Sequence, residues 1–288
     1  MEKKVRIDWK TGMDITPEVF INSDNYHISE RSLLGRFLAF RSYGILPELP
    51  FHIEKNIENN CLHINNLECL AITGDGYIIN IQNYKKELKL NEMGTAFYVV
   101  LTVNPYLPPN TNELSDYVEY GLVLKEIDKT IENGIPVLKI IKNNQGWEID
   151  ETYIPPAISL NAVTRLKEKF AEINNIIHEL TAKIPEEDAL YWQCVMLNIE
   201  LNNYTLQEEP KEFLLLMKKF CRIFQEYLKT VKNIESLPSI QRFMNELYNN
   251  LEIGKLLQWC LDSLEDIKQK IEEQPVEEPE EEIFEIKV

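Results

Sequence analysis

The hydrophobic period of this 288-residue chain changes near residue 158. Before that point apolar residues come in short runs, several of which alternate with polar ones. Beyond it they recur at steps of three and four as far as Ile271. A strand turns successive side chains to opposite faces, whereas a helix returns to one face every three to four residues, so the two patterns demand different backbones. The expectation is a multidomain α+β protein: an antiparallel β-sandwich over 1–157, an antiparallel helical bundle over 158–273 and an acidic, flexible tail over 274–288.

In the first part, Val5 to Trp9 and Cys61 to Ile64 alternate, and further strand-like runs lie at Tyr77 to Ile81, Ala96 to Val103, Tyr117 to Leu124, Val137 to Ile141 and Trp147 to Ile149. Turn signals separate them, including Gly74-Asp75-Gly76, Asn104-Pro105, Pro108-Pro109-Asn110, Asn133-Gly134 and Asn143-Asn144-Gln145-Gly146. Many short strands without interleaved amphipathic helices favour antiparallel sheets. Asp24 to Phe40 is the exception, helix-like in content and expected to pack across an open end of the sandwich. Tyr153-Ile154-Pro155-Pro156 closes this part, because consecutive prolines lack amide donors and hold the chain extended.

Helix is expected directly afterwards. Leu160, Val163, Leu166, Phe170, Ile173, Ile177, Leu180 and Ile184 form one stripe, and Leu190, Cys194, Leu197, Leu201 and Tyr204 a second. The helix after Pro210 carries two stripes: Leu214, Met217, Cys221, Phe224, Leu228 and Val231, with Phe213, Leu216, Phe220, Ile223 and Tyr227 beside them. The last helical stretch uses Ile240, Phe243, Leu247 and Leu251, slips at Gly254 and resumes at Leu257. An antiparallel bundle buries one stripe per helix, so the surplus stripe predicts a second copy of the chain, with Leu214, Met217, Cys221, Phe224 and Leu228 as the oligomer seam. The alternative is that it packs on the sandwich.

A net charge of −17 opposes a polyphosphate backbone, so nucleic acid is not an expected partner. No apolar run approaches the roughly 20 residues of a membrane span, and the opening Met1 to Arg6 does not lead into a signal-peptide core. The five cysteines include no CxxC pair, which suits reduced thiols in a cytosol. Chemistry is sparse. Of the four histidines, only His63, with Cys61 and Cys69, approaches a metal-ligand pattern, and a structural zinc site needs a fourth ligand. Gly74-Asp75-Gly76 reads as a hairpin turn, since no Lys-Ser/Thr follows to complete a phosphate cradle. No catalytic residue, metal or cofactor is assigned, and no enzyme activity is expected.

Three separated segments resemble one family. Trp9-Lys10-Thr11-Gly12-Met13-Asp14-Ile15-Thr16-Pro17-Glu18-Val19-Phe20, followed by Asp24-Asn25-Tyr26, is similar to the opening signature of TssK, the trimeric baseplate adaptor of type VI secretion. It departs at Thr11, where the family commonly has Glu, and at Glu18-Val19, where it commonly has Gln-His. Tyr43-Gly44-Ile45 and Gly74-Asp75-Gly76 resemble the family's aromatic-Gly-Leu and Asp-Gly elements, and Tyr153-Ile154-Pro155-Pro156 its aromatic-Ile-Pro-Pro junction.

The resemblance spans residues 5 to 270 and implies a "shoulder" sandwich that docks on the baseplate wedge and a "neck" bundle that trimerises. It implies TssF/TssG-like wedge partners, no direct membrane insertion and a cytoplasmic protein recruited to the inner membrane face. Trp9, Gly12, Pro17 and Phe20 match the signature and are the expected wedge-facing residues, with a core role for Trp9 and Phe20 as the alternative. The chain stops where the family's head domain begins, which leaves either a truncated sequence or a headless adaptor. The apolar tip Ile283, Phe284, Ile286 and Val288, beyond a Glu- and Pro-rich tether, has the form of a strand-adding motif for a membrane-complex component. A frayed tail is the alternative there. For the whole chain, the rival reading is a phage-type receptor-binding or tail adaptor trimer.

Overall fold

The computed structural model describes residues 6–39, 43–90, 94–104, 106 and 119–273. The elements are α1 (Pro17–Ala39), β1 (Gly44–Ile45), β2 (His52–Glu58), β3 (Cys61–Ile72), β4 (Ile78–Lys89), β5 (Ala96–Asn104), β6 (Glu119–Glu126), β7 (Gly134–Asn143), β8 (Gly146–Ile149), α2 (Thr164–Thr181), α3 (Ala189–Asn203), α4 (Pro210–Lys232), α5 (Pro238–Asn245), a 3₁₀ turn (Asn250–Glu252) and α6 (Ile253–Glu272). Among the described residues the fold is α+β with two antiparallel four-stranded sheets. By contacts the chain forms two compact units. One runs to Ala171 and adds Tyr204–Leu214 and Leu247–Leu257; the other comprises Glu172–Asn203, Leu215–Glu246 and the residues from Gln258. The opening turns of three long helices thus belong with the sheets.

In the first sheet β3 is central, pairing β4 along its length and β2 and β1 on its other edge. The β2–β3 hairpin turns through Asn59 and Asn60, both at positive φ (50° and 58°), the two left-handed positions of a type I′ turn. The β3–β4 register slips between Ile64 and Leu67. This bulge reverses the parity of the strand, so Leu62 and Ile64 before it and Leu67, Cys69 and Ala71 after it all point inward, each 2% exposed or less. The second sheet has the order β6-β5-β7-β8, with Val99, Val100 and Leu101 fully buried in its central strand β5.

Residues 6–10 are irregular rather than a strand, and α1 begins at Pro17, seven residues before the expected start. The helix docks on the β3–β4 turn through glycines. A Cβ on Gly35 would overlap the carbonyl of Gly76, and one on Gly76, at φ 84°, would overlap the Ser32 carbonyl and the Arg36 amide. Ser32 Oγ and Arg36 Nε each donate to the Asp75 carbonyl at 2.9 Å, and the Asp75 carboxylate accepts from the Asn133 amide at 2.9 Å. One turn residue thereby ties α1 to both sheets.

Tyr153-Ile154-Pro155-Pro156 is buried apart from a half-buried Tyr153. The Ile45 amide donates to the Pro156 carbonyl at 2.8 Å, and the Ile158 amide to the Ile45 carbonyl at 3.0 Å. Helix does not follow at once, since α2 starts at Thr164. Leu160 and Val163 are buried in the connecting segment instead, where the Leu160 and Asn161 amides donate to the carbonyls of Glu208 and Leu206. Tyr98 packs on Tyr153 with centroids 5.5 Å apart and donates to Glu252 at 3.4 Å. Burial first, then the Glu252 charge, pushes the Tyr98 hydroxyl up to about 12. Asp150 pairs with Lys139 at 3.1 Å; burial works to raise its carboxyl, but hydrogen bonds from Thr152 and Lys139 prevail and hold it below the usual range.

The second unit is helical. Asn198 Nδ2 donates to Thr181 Oγ1 at 2.6 Å between α3 and α2, and Lys219 pairs with Glu200 at 3.0 Å between α4 and α3. Lys268 pairs with Glu179 at 2.7 Å between α6 and α2, and Arg242 with Asp262 at 3.0 Å between α5 and α6. The break in the last helical stretch falls at Glu246 to Asn249, not at Gly254, which lies inside α6. Lys218 Nζ donates to the Met244 and Glu246 carbonyls at the end of α5, and Leu247 is 83% exposed rather than on a buried stripe.

Gly35→Ala is expected to destabilise the protein by about 1–3 kcal/mol, because backbone lies where the new methyl must go. Urea unfolding measures the loss, and faster amide exchange across α1 locates it. Gly12→Ala, with nothing within 4 Å, should cost only the left-handed strain of about 1 kcal/mol. Asp150 stabilises the fold above the ordinary Asp pKa of about 3.9 and loses that contribution as pH falls through its lowered folded value. Asp150→Asn is therefore expected to lower the urea midpoint at pH 7 and to flatten its decline below about pH 4.

Candidate protein-interaction surface

Helix α1 buries its small and polar residues and exposes its large apolar ones. Asn25, Ser32 and Gly35 are buried, whereas Phe20, Leu33, Leu34 and Phe37 are between 55% and 79% exposed. The glycine docking accounts for this: a helix pressed against a backbone turn can bury only small side chains on that face, so its bulky residues point away.

The segment before the helix extends the same apolar character. The Met13 amide donates to the Lys10 carbonyl at 3.1 Å, and Gly12, at φ 87°, takes the position of that turn that needs a positive φ. Pro17 opens the helix, where its missing amide hydrogen costs nothing. Between them these two residues bring Trp9 over Phe20, with ring centroids 6.1 Å apart at 49°. Both rings are more than half exposed, and Met13 and Ile15 are exposed beside them. The four signature residues are thus together at the surface, and Trp9 and Phe20 are not core residues. Leu33, Leu34 and Phe37 extend the apolar surface and were missed, because their spacing in the sequence reads as the buried stripe of an amphipathic helix.

The residues of the expected oligomer seam are buried. Leu214, Met217, Cys221, Phe224 and Leu228 are at most 4% exposed within a single chain, and Phe213, Leu216, Phe220 and Tyr227 of the adjoining stripe are equally buried. Apart from a half-buried Ile223 and an exposed Val231 at the end of the helix, both stripes of α4 are covered without a second copy, so two stripes on this helix do not by themselves require a partner. An exposed apolar stripe of the helical unit is on α3, where Trp192, Met196 and Ile199 recur at steps of four and three and are 52% to 65% exposed. The tail motif Ile283, Phe284, Ile286 and Val288 lies outside the described residues.

Four of the five cysteines are buried. Burial pushes the thiols of Cys69 and Cys221 up to about 12, and that of Cys194 to about 12 with Asp188 as a lesser cause. Burial also raises that of Cys260. These are packing residues, as expected of cysteines on apolar faces. The bulge in β3 parts the three residues that approach a metal-ligand pattern in the sequence: Cys61 and His63 share the outer face, while Cys69 is buried on the other. A groove of about 190 Å³ beside α1, lined by Ile28, Arg31, Ser32, Gly76, Tyr77, Ile78, Val103 and Tyr120, joins the exposed Ile78 to the helix. Among the described residues, no helix is long and apolar enough to cross a membrane.

The fold is shared with solved structures of TssK and of a type VI secretion baseplate subcomplex. The chain is similar to the crystal structure of TssK, at a TM-score of 0.61 and 14% identity over 90% of this chain and 72% of that one. It is similar to a chain of the TssK–TssF–TssG baseplate subcomplex at a TM-score of 0.60 and 15% identity, covering 92% of this chain and 99% of the other. TssK from the EAEC type VI secretion system, solved with a nanobody, matches at 0.60 and 14% identity over 87% and 68%. At these identities the likeness is one of fold. No protein-family model and no curated protein sequence matches the chain.

Phe224→Ala is expected to cost about 3–5 kcal/mol through the cavity it leaves. The loss should not depend on protein concentration, because the residue is covered within one chain. Phe20→Ala should change stability by no more than about 0.5 kcal/mol. Urea unfolding at two protein concentrations separates a core position from a seam between copies.

Proposed function

We propose that this chain is a non-catalytic structural subunit of a type VI secretion baseplate, an adaptor of the TssK kind. The observation that carries the reading is the fold, similar to TssK over nine-tenths of the chain. The Trp-Gly-Pro-Phe segment gives independent support, since it forms an exposed apolar arm instead of entering the core.

In this reading the sheet-containing part, residues 1–157, is a sandwich that grips TssF/TssG-like wedge proteins, with Trp9 on the arm before α1 and Phe20 on α1 as anchors and Gly12 and Pro17 holding them in place. Exposed aromatic residues on a preformed element suit that role, because large rings bury much area for few lost rotamers. Residues 158–273 form the neck bundle. Three copies associate through it, with the α3 stripe of Trp192, Met196 and Ile199 as the seam in place of the buried α4 residues. The tail motif at Ile283 to Val288 reaches a membrane-complex component from a cytoplasmic protein held at the inner membrane face.

The test is co-purification with a wedge of TssF/TssG-like subunits, followed by light scattering on the free protein. Trp9→Asp with Phe20→Asp is expected to abolish wedge binding and leave the unfolding midpoint unchanged. Trp192→Asp with Met196→Asp is expected to convert a trimer to a folded monomer. Retained wedge binding by the first variant removes the arm from the interface, and a wild-type monomer at micromolar concentration removes the trimer.

A further inference from the structure

The outer face of the first sheet brings together three side chains with metal-binding chemistry. Cys61 and His63 are two residues apart on β3 and so point the same way, and Glu87 lies directly opposite His63 on β4. One ligand atom from each falls within 4.8 Å of the others. His63 Nδ1 and Glu87 Oε1 are 3.3 Å apart. Zinc bonds to nitrogen and oxygen of about 2.0–2.1 Å in a tetrahedron require ligand atoms about 3.3–3.4 Å apart, so the pair already spans one edge of such a polyhedron.

An ion pair between His63 and Glu87 would use the same spacing and leave the thiol idle. The adjacent thiol makes the donor set one of sulfur, nitrogen and oxygen. Thiolate and imidazole select borderline cations such as Zn²⁺ and Co²⁺ over Ca²⁺ and Mg²⁺, which take oxygen ligands. The local fold favours convergence, because the type I′ turn at Asn59 and Asn60 places Cys61 at the first position of β3 and fixes its register. Glu58, opposite Cys61 on β2, is held by Asn56 Nδ2 donating to its Oε1 at 2.6 Å and is the next carboxylate along the same face.

We propose that Cys61, His63 and Glu87 form a surface site for a borderline divalent cation of the Zn²⁺ class. The site has three protein ligands and a fourth position open to water. A bound ion would cross-link β3 to β4 near the hairpin end of the sheet. The proposal is independent of the adaptor reading, since it rests on this sheet face alone.

Titration of the full-length reduced protein with Co²⁺ tests it. One equivalent is expected to produce a thiolate-to-cobalt charge-transfer band in the near ultraviolet, with visible bands of a four-coordinate ion, and Zn²⁺ should displace it. Cys61→Ser should abolish the charge-transfer band. His63→Gln and Glu87→Gln should each weaken binding by tenfold or more, as loss of a ligand demands. All three substitutions lie on the outer face, and unchanged far-ultraviolet circular dichroism checks that the variants fold. Absence of the charge-transfer band in the wild type overturns the proposal, as does a band that survives Cys61→Ser and so belongs to another thiol.

Discussion

The sheet-containing unit depends on a close meeting of three backbone segments at residues 152 to 157. Gly44 lies so near the Pro156 carbonyl that any side chain there would overlap it, and a Cβ on Gly254 would come within 2.6 Å of the Thr152 carbonyl. One extended segment is therefore pressed between β1 and the start of α6, with glycine on both flanks. The prolines fit this setting for the reason that bars them from most buried backbone. They have no amide hydrogen, so a crowded, dry position leaves no donor unpaired, while the Pro156 carbonyl receives the Ile45 amide. Tyr98, Tyr153 and Glu252 add a part-buried polar contact to the same junction. This is why residues far apart in the sequence, at 43–45, 153–156 and 250–254, act as one structural element.

A second glycine contact sets the character of the surface. Where Gly35 meets Gly76, helix and turn approach too closely for side chains to lie between them. What stabilises α1 is then hydrogen bonding to Asp75 and close backbone packing, with little hydrophobic burial. The helix is free to present Phe20, Leu33, Leu34 and Phe37 outward without losing its own attachment. An apolar surface held by a polar seat is suited to an interaction protein, because the residues that recognise the partner are separate from those that hold the element in place.

Much of this was legible in the sequence, and the failures have physical causes. The change of period near residue 158 gave the order of sheets and helices, and the turns at Gly74 to Gly76 and Asn143 to Gly146 lie where their residues indicate. Strand β2 escaped notice because His52 to Glu58 is mostly charged or polar, and the lengths of β3 and β4 were cut short for the same reason. Cys61, His63 and Cys69 divide two and one between the faces of β3, because the bulge between Ile64 and Leu67, which no residue pattern announces, turns Cys69 inward. Leu160 and Val163 continue the helical stripe in the sequence and are indeed buried, but in an irregular segment whose amides are satisfied by the carbonyls of residues 206 and 208. Periodicity reported their burial correctly and their backbone wrongly.

The candidate interface was harder to read than the core, and α4 illustrates the reason. Two apolar stripes on one helix state that the helix is covered on two sides, and nothing in the pattern says whether the cover is the same chain or another. Here the chain itself covers most of both, down to the stacked Phe220 and Phe224 rings, and leaves Val231 exposed at the end of the helix. The weaker signal was the informative one. Helix α3 buries Cys194, Asn198 and Leu201 on one side and carries Trp192, Met196 and Ile199 on the other, so its apolar residues encircle it and its amphipathicity is almost cancelled. A helix that keeps aromatic and aliphatic residues on the side it does not bury is poorly explained by folding alone. The same holds for α1 and the arm before it. In both places the sequence marks a surface through hydrophobic residues that the fold leaves uncovered, and on the adaptor reading these are the surfaces through which the protein acts.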